Sequence, residues 1–183
     1  VFQSDILENY VLCEFNDPLY IVFSSGTTGK PKCITHSIGG VLIQHAKEHL
    51  LHINLSEKEK MFYFTTCGWM MWNWLVGSLF CKSSIVLYEG SPFYPNPEHL
   101  WKIAEKSEVS IFGTSAKYID ALSKSNVVPK NHLTASNLRT ICSTGSPLSP
   151  DSYDYILNNI KSDVQIASIS GGTDLLSCFV LSN

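Results

Sequence analysis

Apolar residues rich in β-branched and aromatic side chains gather in short runs at Leu19–Phe23, Met61–Thr65, Ile85–Tyr88, Val109–Phe112, Leu138–Cys142 and Val164–Ile169. Runs of this length between polar segments predict strands of a buried sheet. Between them, apolar positions at helical spacing predict helices over Gly40–Ile53, Trp69–Cys81, Pro97–Lys106, Ala116–Ser123 and Asp151–Asn159, with Asn96, Ser115 and Ser149 as capping residues. Alternating strands and helices predict an α/β fold, a mostly parallel sheet with helices on both faces. Gly90–Pro97 holds three prolines in eight residues; proline can neither donate to a ladder nor continue a helix, so this stretch is a connecting loop. Asn126–Asn137 is a second polar connection. Neither is long enough to divide the chain, which reads as one domain without internal repeats.

The composition, 44% hydrophobic and 16% charged over 183 residues, is ordinary for a globular domain. A net charge of −3 with no cluster of lysine or arginine argues against a nucleic-acid partner. Six cysteines occur without a Cys-x-x-Cys pair or the spacing of a zinc site. Several lie in apolar runs, so they are expected to be buried free thiols of a reducing, cytosolic compartment. The longest apolar stretch, Gly68–Cys81, contains Asn73 and Ser78 and is too short to span a membrane. The chain begins at Val1 and stops after the apolar run Cys178–Ser182, so both ends are expected to be cuts within a domain.

In an open α/β sheet, ligands sit beyond the carboxyl ends of the strands, which turns attention to the loops that follow them. Ser24 to Lys32 follows the strand Tyr20–Phe23 and consists of hydroxyls, glycines, lysines and one proline ring. Glycines let backbone N–H groups approach an anion, hydroxyls donate hydrogen bonds and lysines add charge, which is the chemistry of a phosphate cradle. A flexible surface loop is the plainer reading; the place after an apolar strand and the Lys-Pro-Lys ending weigh against it. Pro31 stands where a Walker A loop needs Ser or Thr after its lysine, which disfavours a P-loop NTPase.

Thr66 to Trp74 is an aromatic and methionine cluster whose plain reading is core. Its place after a strand, with Gly68 allowing a tight turn, makes the cluster a candidate wall for a small apolar or weakly polar acyl group. Ser143 to Leu148 is by itself a turn signal, and Ser170 to Asp174 follows the last strand. His45, His49 and His52 fall on one helical face, yet no carboxylate accompanies them as in His-Glu-x-x-His, so they are read as surface or packing residues. His36, on a short strand after the first loop, is also read as structural.

The segment Ser24-Ser25-Gly26-Thr27-Thr28-Gly29-Lys30-Pro31-Lys32 resembles the signature of the adenylate-forming superfamily of acyl-CoA synthetases, luciferases and peptide-synthetase adenylation domains. The resemblance implies that Ser24, Ser25, Gly26, Thr27, Thr28, Gly29 and Lys32 wrap the β- and γ-phosphates of ATP. It implies that Gly145, Ser146 and Pro147 frame the adenine and that Trp69, Met70 and Met71 line the acyl pocket. Ser170–Asp174 resembles the aromatic-Gly-x-Thr-Glu motif, which implies that Thr173 contacts the α-phosphate and Asp174 holds Mg²⁺. Thr173 and Lys32 are the implied catalytic residues. Aspartate replaces the common glutamate and is one methylene shorter, so a bridging water is an alternative to direct coordination. Acetyl-CoA synthetases carry tryptophan at the position of Gly171, and glycine is expected to leave room for a longer acid.

The three segments together resemble those of acetoacetyl-CoA synthetases. This implies ligation of acetoacetate to coenzyme A through an acyl-adenylate, with ATP, Mg²⁺ and coenzyme A taking part. The chain would then be an incomplete piece, residues 1–183, of the large N-terminal AMP-binding domain. The Thr-Gly-Asp segment that holds ribose and the C-terminal lid domain with its catalytic lysine are absent from it. A competing reading is an inactive truncated product that binds nucleotide or a full-length partner.

Overall fold

The computed structural model describes residues 10–24, 29–134 and 137–182. Five of the apolar runs pair as expected into one parallel sheet. It consists of β3 (Lys60–Tyr63), β4 (Ser84–Val86), β5 (Ile111–Ser115), β6 (Thr140–Thr144) and β7 (Gln165–Ser168), in the order β4-β3-β5-β6-β7. Met61 lies opposite both Ile85 and Ile111, and Ile141 lies between Phe112 and Ile166. Successive strand residues face opposite sides, so the same runs feed two cores. Phe62, Phe112 and Ile141 pack against α3 (His99–Lys106), α4 (Ala116–Lys124) and α5 (Pro150–Tyr155). Met61, Tyr63, Ile111, Cys142 and Ala167 face α2 (Met70–Gly77) on the other side. Trp101 of α3 stacks on Phe112, with ring centroids 4.3 Å apart.

Ser115 and Ser149 cap α4 and α5 as expected, accepting hydrogen bonds from the Tyr118 and Ser152 amides. Asn96 does not cap α3: its side chain accepts from the Glu98 amide at 3.2 Å, and the helix starts at His99. The Asn-Pro-Glu turn uses that oxygen two residues before the helix's own cap position, Glu98. Three predicted helices change pitch before they end. α1 (Ile38–Lys47) continues as a π-helical turn, Glu48–His52, and α5 as another, Ile156–Ile160; α2 tightens into a 3₁₀ turn, Ser78–Cys81.

The first apolar run departs from expectation. β1 (Pro18–Ser24) is not a buried strand of the parallel sheet but pairs antiparallel with β2 (Lys32–Ser37) as a separate ribbon. Its alternate side chains Leu19, Ile21 and Phe23 are exposed. A nearby strand joined by a short connection is the cheapest partner to reach, and that locality fixes the pairing. A second ribbon, β8 (Ser170–Gly172) with β9 (Ser177–Val180), was not expected at all. All six cysteines are free, but only Cys142 and Cys178 are buried, Cys81 is half-buried, and Cys13, Cys33 and Cys67 are exposed. The exposed three sit on ribbon or loop segments outside the sheet core. Among the described residues no helix is long and apolar enough to cross a membrane.

Candidate active site

Three connections meet at the carboxyl ends of β3, β6 and β7. After β3 the chain turns at Thr66–Trp69 and enters α2, with extended Trp69 at its N-terminus. After β6 it turns at Gly145, whose φ of 89° lies in the left-handed region that glycine enters without steric cost. The Thr144 hydroxyl donates to the Ile169 carbonyl at 2.8 Å, and the Ile169 amide donates to the Ser143 carbonyl at 2.7 Å. These bonds hold the β6 turn beside the start of the β8–β9 ribbon.

The result is a crevice of about 530 Å³. Trp69, Met70 and Met71 form one wall, Gly145, Ser146 and Pro147 a second, and Gly171, Gly172 and Thr173 a third. Residues that the sequence places far apart in the chain are thus brought to one cavity. Ser168, Ile169, Ser177 and Val180 also line it and went unnoticed in the sequence. The first two could have been found from their place at the carboxyl end of β7; the other two belong to a ribbon with no sequence signal.

The first loop bridges β1 and β2. Ser25, Gly26, Thr27 and Thr28 lie outside the described residues. Ser24 and Lys32 stand opposite each other at the loop end of the ribbon, Lys32 is exposed, and Gly29 has a φ of 137° with free space around it. β1 borders a smaller cleft of about 370 Å³ shared with Cys67, Gly68, Trp69, Met70, Asn73 and Thr173. Trp69, Met70 and Thr173 therefore belong to both spaces.

Asp174 faces elsewhere. It is exposed and lines a pocket with Thr35, His36, Ser37 and Gln44, on the α1 side of the ribbon. Among the described residues no three His, Cys, Asp or Glu side chains gather as a metal cage. A single carboxylate fits Mg²⁺ held chiefly by substrate phosphates and water, and no other arrangement of that ion. His36 lies beside Asp174, and its Nε2 is 3.0 Å from the Thr173 carbonyl.

Gly171 differs from its expected role. It lines the crevice, but a Cβ there would run into the backbone of Ser177 and Cys178 across the ribbon. The missing side chain faces β9, so glycine serves the close approach of two strands rather than the size of the cavity. A Cβ on Gly172 meets nothing within 4 Å. Gly171→Ala is therefore expected to destabilise the intact protein by about 1–3 kcal/mol through overpacking, while Gly172→Ala changes little. Thermal unfolding of the two variants checks this; equal melting points would contradict the packing described.

Of the two readings of the helix histidines, surface or packing, the packing one holds for His45 and His49. His45 and His49 are buried, with Nε2 2.8 Å from the Leu176 carbonyl and 2.9 Å from the Trp74 carbonyl. Burial, with His45 nearby, pulls the His49 pKa down to about 4. His52 is half-buried, with Nδ1 3.2 Å from the Ser182 carbonyl.

Residues 7–180 match the family model of AMP-binding enzymes, and the chain belongs to that family. Over 169 residues it is 56% identical to the acetoacetyl-coenzyme A synthetase of Rhizobium meliloti (strain 1021), a match covering 92% of this chain and 26% of that protein. It is 52% identical over 169 residues to the acetoacetyl-CoA synthetase of Gallus gallus, covering 92% of this chain and 25% of the relative. The solved structure of acetoacetyl-CoA synthetase from Streptomyces lividans superposes with a TM-score of 0.91 at 42% identity, over 98% of this chain and 28% of that one. The chain thus spans about a quarter of the length of the relatives it matches.

Proposed function

We propose that the intact protein joins acetoacetate to coenzyme A, consuming ATP and releasing AMP and pyrophosphate. The observation that carries this reading is the crevice itself, where the Trp69–Met71 wall, the Gly145–Pro147 turn and Thr173 converge. The acid's carboxylate attacks the α-phosphorus of ATP, and the thiol of coenzyme A then displaces AMP from the acyl-adenylate. Both steps depend on positioning and on neutralising charge. Trp69, Met70 and Met71 shelter the acyl group from water, and Gly145, Ser146 and Pro147 frame the adenine. Thr173 orients the α-phosphate, while Ser24 to Lys32 cradles the β- and γ-phosphates. Mg²⁺ held by Asp174 would supply charge neutralisation for the departing pyrophosphate. The ribose-binding aspartate and the lid lysine that this chemistry needs belong to parts of the intact protein outside these 183 residues. Free thiols at all six cysteines support a cytosolic setting.

Lys32 is the test. In the intact protein Lys32→Ala is expected to slow acetoacetate-dependent ATP–pyrophosphate exchange at least about tenfold, or roughly 1.4 kcal/mol of transition-state stabilisation. Wild-type exchange by that variant, and by Thr28→Ala, would remove the loop from the triphosphate site.

A further inference from the structure

The two walls of the crevice come from unconnected elements, the start of α2 and the β8–β9 ribbon, and behind both lies the end of α1. Glu48 sits there with no solvent exposure. Its Oε2 accepts from the Trp74 indole Nε1 at 2.7 Å. Its Oε1 accepts from Gln44 Nε2 at 3.0 Å, from the Cys178 amide at 3.3 Å and from the Ser177 hydroxyl. Trp74 lies one helical turn beyond Met70 and Met71, and Ser177 itself lines the crevice. Lys47 Nζ, 3.6 Å away, is the nearby cation. One carboxylate therefore grips both walls at once.

A carboxylate taken fully out of water is costly unless hydrogen bonds satisfy it, and packing alone would be served as well by an apolar side chain. Here burial would raise the pKa of Glu48, but hydrogen bonds from Ser177, Trp74 and Cys178 outweigh it and hold the carboxyl below its ordinary range. Apart from Gln44 on α1 itself, the donors come from the two walls, so the ionised carboxylate keeps most of its hydrogen bonds only while both stand at bonding distance. Neighbouring histidines reinforce the arrangement. His45 and His36 contact the Leu176 and Thr173 carbonyls of the ribbon turn, and His49 contacts the Trp74 carbonyl.

Resting on the function proposed above, we infer that Glu48 is a positioning residue of the crevice: its carboxylate fixes the separation of the Trp69–Met71 wall from the β8–β9 ribbon, and with it the place of Thr173 against a bound acid. Glu48 touches no substrate; it acts through Trp74 and Ser177.

The test is made in the intact enzyme with Glu48→Ala, Glu48→Gln and Ser177→Ala. Glu48→Ala is expected to lower kcat/KM for acetoacetate at least about tenfold and to reduce the preference over acetate, because misplaced walls lose oriented contacts. KM for ATP, whose triphosphate binds on the β1–β2 ribbon, is expected to stay within about threefold. Glu48→Gln keeps one acceptor oxygen, enough for Trp74 on one wall or for Ser177 and Cys178 on the other but not for both, and is expected to restore part of the loss, while Ser177→Ala gives a smaller loss in the same parameter. If Glu48→Ala does not fold, the split is read from the other two variants. Amide exchange supplies a substrate-free arm, in which loss of the carboxylate loosens Met70–Gly77 and Ser177–Val180 together. Unchanged acid kcat/KM, an equal fall in every kinetic parameter, failure of Gln to outperform Ala, or loosening of one wall alone would overturn the inference. A wild-type enzyme without acid-dependent exchange would instead overturn the functional reading, and the amide-exchange arm would still decide the role of Glu48.

Discussion

Purified by itself, the 183-residue chain is expected to form acetoacetyl-CoA at less than about a hundredth of the rate of the intact protein, a deficit of roughly 2.7 kcal/mol or more in the barrier. Two physical reasons converge. On the proposed function the crevice supplies an acyl wall and an adenine turn, while adenylation and thioester formation also call for groups that hold the ribose and close over the reacting atoms; a site without them would lose the orientation that supplies most of the acceleration. The relatives this chain matches are about four times its length, since it spans 26% and 25% of them. In addition, Leu19, Ile21 and Phe23 on β1 and Phe179 and Val180 on β9 are exposed apolar side chains on short ribbons. Such edges favour association with other copies in dilute solution. Thioester formation from ATP, acetoacetate and coenzyme A, measured for the chain beside the intact protein, decides the point. Turnover within a hundredfold of the intact protein would mean that the remaining segments are dispensable and that the mechanism is wrong.

Acid is expected to loosen α1 well before it attacks the rest of the sheet. In the folded protein His49 takes a proton only near pH 4, against 6.5 for the free side chain. The unfolded chain therefore binds the proton first as pH falls. Stability owed to neutral His49 is complete above pH 6.5, declines between 6.5 and about 4, and is constant below. Protonation linkage changes stability by roughly 1.4 kcal/mol per pH unit across that interval, so the full loss is about 3 kcal/mol. His45 leans the same way, its pKa lowered chiefly by burial. Glu48, whose pKa is lowered, adds a contribution that is lost as pH falls through its folded value. Amide exchange of α1 peptides in the intact protein between pH 7.5 and 4.5 measures the slope. His49→Gln retains a donor for the Trp74 carbonyl without a titrating ring, so it should flatten that slope. An identical slope in wild type and variant would show that His49 is not the group responsible.

Much of the sheet was legible because a strand buried on both faces needs an unbroken apolar run, and of the six runs that stand out five form it. The Ser115 and Ser149 caps were legible for an equally local reason, a hydroxyl just before an apolar periodic segment. The crevice was legible in outline, since loops after parallel strands are where ligands bind. What stayed hidden depends on partners distant in sequence. Nothing in Pro18–Ser24 distinguishes a ribbon strand from a sheet strand, because both are apolar and β-branched. Ser170–Gly172 has no strand propensity and becomes a strand only by lying against Ser177–Val180, and that contact gives Gly171 its true constraint. For His45 and His49 the choice between surface and packing could not be made from the sequence, because the carbonyls of Leu176 and Trp74 that satisfy them lie 131 and 25 residues away. Glu48 carries no local signal for the same reason: its donors Trp74, Ser177 and Cys178 lie 26, 129 and 130 residues away.

The most direct test of the account is acid-dependent ATP–pyrophosphate exchange by the intact protein with acetoacetate and with acetate. The account predicts exchange that requires a carboxylic acid, with kcat/KM for acetoacetate above that for acetate by at least about tenfold, a discrimination of about 1.4 kcal/mol set by the Trp69–Met71 wall and the ribbon opposite it. Exchange that does not depend on an added acid, or equal specificity constants for the two acids, would contradict it.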